Sequence, residues 1–89
     1  MFSIGQMVYS KNGRDKGEAF IIVGIEGDYL LLADGKRRKL EKPKRKKMIH
    51  VQKVNKVDGD IKNKIENNMY LLDSDLRSSL KRFKEKVSE

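Results

Sequence analysis

The residues best equipped for chemistry lie in one stretch, Lys36-Arg37-Arg38-Lys39-Leu40-Glu41-Lys42-Pro43-Lys44-Arg45-Lys46-Lys47. Nine of its twelve residues are basic and one is acidic, a local charge of +8, which equals the net charge of the whole 89-residue chain. The remaining residues carry twelve basic and twelve acidic groups and cancel. Nine cations on about forty ångströms of extended chain, at roughly 3.3 Å per residue, repel one another, and a polyanion relieves that repulsion while releasing its own condensed counterions. One or two lysines would be enough to protect a sheet edge from association. Nine exceed that need and point to phosphate contacts. A membrane surface fits less well, because the run has no interleaved apolar face.

A second cationic set, Lys11, Arg14 and Lys16, sits in a loop with Asn12-Gly13 and Gly17. A turn between early strands of a small sheet can lie on the same side as later strands, so these three are expected to extend the basic surface. Arg14 is the preferred single contact, because its planar fork holds a phosphate bidentately. Tyr9, Phe20 and Tyr29 could stack on unpaired bases. Phe20 lies in the most apolar stretch and reads as core, so recognition by phosphate and shape is expected over base readout. His50, between Ile49 and Val51, has no partner at metal-ligand spacing. No Ser-His-Asp constellation, phosphate-binding glycine loop or nucleotide fingerprint is present. There is no cysteine, hence no disulfide framework or thiolate metal site, and no cofactor or catalytic activity is expected.

The elements that must position these groups follow from pattern and punctuation. Gln6–Ser10 alternates as a first strand. Glu18–Ile25 is rich in β-branched residues and reads as a second, with Gly24 marking a bulge or bend. Glu26-Gly27-Asp28 is a tight connection and Tyr29–Asp34 a third strand. Asp34-Gly35 is a turn signal, which makes Lys36–Leu40 a fourth strand. Pro43 belongs at an edge or in a connection. Met48–Gln52 reads as a short fifth strand. Five short strands in so small a chain are expected to curl into a barrel spanning residues 1–54.

Beyond residue 54 the period changes. Asp58 or Asp60 could cap a helix reaching about Asn67, with Val57, Ile61 and Ile65 on one face. Asp73 could cap a second, with Leu76, Leu80, Phe83 and Val87 at spacings of four, three and four. The expected architecture is mainly β with a helical extension, 55–89. The extension packs on the barrel or on itself, and Lys81, Arg82, Lys84 and Lys86 are a possible second contact surface. No apolar run is long enough to span a bilayer. Met1–Gly5 lacks the basic and apolar regions of a signal peptide, so a cytoplasmic protein is expected.

Gly5 to about Asp34 resembles the KOW motif. The string Gly5-Gln6-Met7-Val8-Tyr9-Ser10-Lys11-Asn12-Gly13-Arg14-Asp15-Lys16-Gly17, followed by Glu18-Ala19-Phe20-Ile21-Ile22-Val23, has its glycine, alternating strand, Gly-x-Asp-Lys-Gly-like loop and hydrophobic strand. Ala19-Phe20 stands where many members carry a further glycine. With the basic run, residues 4–53 resemble small bacterial KOW-domain RNA-binding proteins, which are similar to archaeal and eukaryotic large-subunit ribosomal proteins. The resemblance implies an SH3-like β-barrel and binding to RNA, ribosomal RNA above all, by a ribosomal or ribosome-associated protein that is monomeric off the ribosome. The RNA contacts would be Lys11, Arg14, Lys16, Lys36, Arg37, Arg38, Lys39, Lys42, Lys44, Arg45, Lys46 and Lys47. KOW barrels also dock on proteins, so the alternative is an interaction module on the transcription or translation machinery, with ribosomal proteins among its partners.

Overall fold

A computed structural model describes the backbone of residues 1–87 and the side chains through Glu85. The order is β1 (Gln6–Ser10), β2 (Ala19–Glu26), β3 (Tyr29–Ala33), β4 (Lys44–Lys47), a 3-10 turn (Met48–His50), β5 (Val51–Val57), α1 (Gly59–Glu66) and α2 (Asp73–Val87). The strands form one antiparallel sheet in the order β4-β3-β2-β1-β5. The fold is thus mainly β with a helical tail. The edge strands β4 and β5 do not pair, so the sheet is open and not a closed barrel.

The sheet is nevertheless strongly curled. Laid flat, its edges would stand four inter-strand spacings apart, about 19 Å. The 3-10 turn that joins them is only three residues long, a rise of about 6 Å. The concave face holds Val8, Phe20, Ile22, Leu30, Leu32 and Val51, so that β5 packs with β3 across the curl. The other face places Met7, Ala19, Ile21 and Ala33 against Ile61 of α1 and Leu76 and Leu80 of α2. Both faces of the first half of β2, Ala19 to Ile22, are therefore buried, which is why its sequence there is an unbroken apolar run. Phe20 is core, as expected. The register of β2 against β3 shifts between Ile22 and Gly24, and a Cβ on Gly24 would lie 2.8 Å from Leu31 Cδ1. The predicted bulge is present, and it also admits a close side-chain approach.

Two predicted strands are corrected. Lys36–Leu40 is not a strand but part of a ten-residue connection, 34–43. Asp34 Oδ1 accepts the amides of Lys36 and Arg38, both at 2.9 Å, and this local turn competes with ladder formation. The strand that pairs with β3 is Lys44–Lys47, beginning just after Pro43. Met48–His50 is a 3-10 turn, and the last strand starts at Val51 and runs to Val57, three residues past the expected end of the sheet region. His50 accordingly lies in a turn, its Nδ1 2.9 Å from Asn12 Nδ2. Val57 ends β5 and is exposed, so it is not part of a helical face.

Asp58 caps α1 as predicted. Its Oδ1 accepts the amides of Asp60 and Ile61, while Oδ2 accepts Ser79 Oγ at 2.7 Å and Arg82 Nη2 at 3.0 Å from α2. One buried carboxylate therefore joins both helices. Asp73 does not cap its own helix. Its Oδ1 accepts the amide of Leu40 at 2.8 Å, and Asp75 reaches back to the amide of Leu72. The expectations for Val87 and Lys86 lie outside the described side chains.

Candidate nucleic-acid interface

The cations of β4 divide by the period of a strand. Lys44 and Lys46 pair in register with Leu32 and Leu30, whose side chains fill the concave face. Both ammonium groups end at Asp15, in the loop between β1 and β2. Lys44 Nζ is 2.7 Å from Oδ2 and Lys46 Nζ is 3.1 Å from Oδ1. Ser10 Oγ donates to Oδ1 at 2.6 Å, and Lys46 also donates to the Asn12 carbonyl at 2.8 Å. Gly17, at φ +86°, lets the chain turn back so that its amide donates to the Ser10 carbonyl at 2.8 Å. That turn holds Asp15 inward, and only glycine adopts such a φ without strain.

Burial alone would raise the Asp15 carboxyl. The ion pair with Lys44 and the hydrogen bonds from Ser10 and Lys46 outweigh it and hold the group well below the usual carboxylate range. The side chain of Lys46 is only 10% exposed and that of Lys44 26%. These two predicted contacts are thus partly consumed by the fold.

Arg45 and Lys47 project from the opposite face of β4, over Tyr29. The Arg45 guanidinium carbon is 3.6 Å from the ring centroid and the Lys47 ammonium 5.9 Å. A cation thus already stacks on Tyr29. Arg45 also lies 3.5 Å from Glu26, with both side chains more than half exposed, so that pair contributes little. Tyr9 packs against the helix-side core.

The structure brings part of the predicted site together. Arg14, Arg37, Arg38 and Lys44 line one depression of about 360 Å³, with Asp15, Glu18 and Phe20. Its cations come from two segments more than twenty residues apart. Glu18 is held by Arg37 at 2.8 Å, an exposed pair. Lys11, Lys16, Lys39, Lys42 and Lys47 are exposed but line neither this depression nor the one beside it.

The adjoining hollow, about 600 Å³, lies between the 34–37 segment and α2 and includes Arg77, Lys81 and Lys84. Lys81 and Lys84 belong to the predicted second surface. Arg82 is turned away to Asp58. Arg77 was not singled out by sequence. The available signal was spacing, since 77, 81 and 84 repeat 76, 80 and 83 one residue later and so form a stripe beside the apolar face. Among the described residues no cluster of His, Cys, Asp and Glu could hold a metal ion, and no helix is long and apolar enough to cross a membrane. No protein-family model matches the chain, and a search of curated proteins finds no significant match.

Proposed function

We propose that this chain is an RNA-binding protein of the KOW type, an SH3-like sheet that holds ribosomal RNA through phosphate and shape contacts, as a ribosomal or ribosome-associated protein. One observation carries this proposal: Arg14, Arg37, Arg38 and Lys44 converge on one depression from two separate segments. Three of the four are arginines, whose forks suit phosphate oxygens. A small five-stranded antiparallel sheet curled around one concave core supports the SH3-like assignment. The positive φ of Gly17 and the inward Asp15 support the KOW loop. Burial of Phe20 and packing of Tyr9 favour phosphate over base recognition.

The test is affinity for ribosomal RNA fragments measured by fluorescence anisotropy across a salt series. Five to eight phosphate contacts give a log–log slope of about −4 to −7, at roughly 0.7–0.9 per phosphate. Arg14→Gln with Arg38→Gln should flatten the slope by about 1.4–1.8 without changing the thermal midpoint. An affinity that ignores salt, or an unchanged slope in the double variant, would refute the assignment.

A protein-docking function has one observation in its favour. Met69, Tyr70 and Leu72, in the connection between α1 and α2, are 52%, 82% and 45% exposed. Partners retained after thorough nuclease treatment, and lost on Tyr70→Ser, would favour it.

A further inference from the structure

The hollow beside α2 is built, and α2 builds it. Asp73 Oδ1 accepts the Leu40 amide and Arg77 Nη1 donates to the Gly35 carbonyl. Leu40 packs against the helix-side core. Gly35 sits at φ +76°, and a Cβ there would overlap the Asp73 carbonyl oxygen. The segment from Gly35 to Leu40 is therefore held onto α2 at both of its ends and does not form a free arm. The clamp sets Lys36 and Arg37 across a groove from Lys81 and Lys84. The groove floor includes Ala19 and Leu80, both buried.

Among the described residues, five basic and three acidic side chains line the groove, a surplus of two positive charges. All three acids are already engaged: Glu18 by Arg37, the Asp34 carboxylate by backbone amides, and Glu85 by a contact of its own. Lys36, Lys81 and Lys84 form no ion pair among the described residues. The groove shares Glu18 and Arg37 with the Arg14 depression, so the two adjoin. At about 600 Å³ it falls in the size range of small-ligand pockets, which suits a few unpaired nucleotides and excludes a duplex.

We infer that this groove, resting on the RNA-binding assignment above, seats an unpaired RNA strand, with Lys36 and Arg37 on one side of its phosphates and Lys81 and Lys84 on the other. The C-terminal helix is then part of the binding site as well as support for it. Cations on both sides of a narrow groove suit the phosphates of a single strand that tracks along it.

The full-length chain with Lys81→Gln and Lys84→Gln tests this. Both lysines are exposed, so folding is preserved. Probes are a ribosomal RNA fragment with an unpaired segment and the same segment paired to its complement. Loss of two contacts should flatten the single-strand salt slope by about 1.4, at roughly 0.7 per phosphate, and weaken binding on the order of tenfold near physiological salt. Lys81→Arg with Lys84→Arg should keep the wild-type slope, and the paired probe should be insensitive to the glutamine pair. If wild type binds RNA and the glutamine variant keeps its slope, the groove inference fails while the RNA-binding assignment stands. Equal loss on the paired probe overturns the unpaired-strand preference. If wild type binds no RNA, both fall. A partner that survives nuclease treatment but is lost in the glutamine variant would mean that an acidic protein segment occupies the groove.

Discussion

Asp15→Asn isolates the side-chain contact that ties the edge strand to the loop between β1 and β2. The carboxylate is buried, accepts from Ser10 and Lys46, and has Lys44 at 2.7 Å. Removing one partner of a buried ion pair costs about 3–5 kcal/mol, mostly from the charge left behind. Two features reduce that here. Lys44 is partly exposed and can be resolvated, and Lys46 keeps its bond to the Asn12 carbonyl. A loss of about 2–3 kcal/mol remains. The whole domain holds on the order of 4–13 kcal/mol, from 0.05–0.15 kcal/mol per residue. At roughly 4–8 °C per kcal/mol, the thermal midpoint should fall by about 10–20 °C.

Urea denaturation checks the value, with an unchanged m-value showing that the folded and unfolded states are otherwise alike. Adding Lys46→Met to Asp15→Asn should restore about 1 kcal/mol, because it removes the stranded ammonium. The pH dependence has a definite sign. Asp15 is held below its unfolded carboxyl value of about 3.9, so the unfolded state takes up protons first. Its stabilisation is full above about pH 5 and is lost as pH falls through the unfolded and then the folded value. The gap between wild type and Asp15→Asn should therefore close as pH drops below about 4. A variant within about 0.5 kcal/mol of wild type at pH 7, or no coupling to Lys46, would refute the anchoring role.

Two further perturbations address the helical side. Asp58→Ala removes the α1 cap and the bonds from Ser79 and Arg82 together, and should cost about 2–3 kcal/mol, with faster hydrogen exchange at the Asp60 and Ile61 amides. Burial opposes ionisation of Asp58, but the Ser79, Ile61 and Arg82 contacts lower its carboxyl overall, so this contribution too should fade as pH falls below about 4. Gly35→Ala places a Cβ against Asp73 at a positive φ. It should cost at least about 1–2 kcal/mol and deprotect the Leu40 amide, while an unaltered Leu40 exchange rate would show that the connection is not clamped to α2.

What the sequence made legible is what was local. The first three strands are bounded by alternation and by Asn-Gly and Glu-Gly-Asp turns, and both helices announce themselves through Ile61–Ile65 and Leu76–Leu80–Phe83 spacing. The missed strand, Lys44–Lys47, has no apolar alternation to reveal it. Its inward residues are lysines, and the acid that accepts them lies about thirty residues earlier. Lys36–Leu40 reads as a strand because Asp34-Gly35 is a sound hairpin signal considered alone. Its competitor is the packing of Gly35 against Asp73 and Arg77, almost forty residues away. The site was legible as charge and not as geometry. A count of cations does not distinguish Lys46, held at a carboxylate, from Arg38, which faces solvent.

That distinction changes what the basic run is for. A four-residue strand of lysine and arginine has no hydrophobic set to specify its register, and a one-residue slip would exchange its two faces. Asp15 supplies the missing specification. It accepts Lys44 and Lys46, two residues apart, and so fixes which residues face the concave side. Arg45 and Lys47 are thereby committed to the other face above Tyr29, and Pro43 is left to lead back into the clamped connection. Two of nine cations are spent on aligning the strand, and the alignment gives several of the others defined positions. A slipped register would leave Asp15 facing solvent or a mismatched cation and would move Lys44 out of the Arg14 depression. The run is therefore ordered by the same electrostatics that its sequence seemed to offer wholly to a partner.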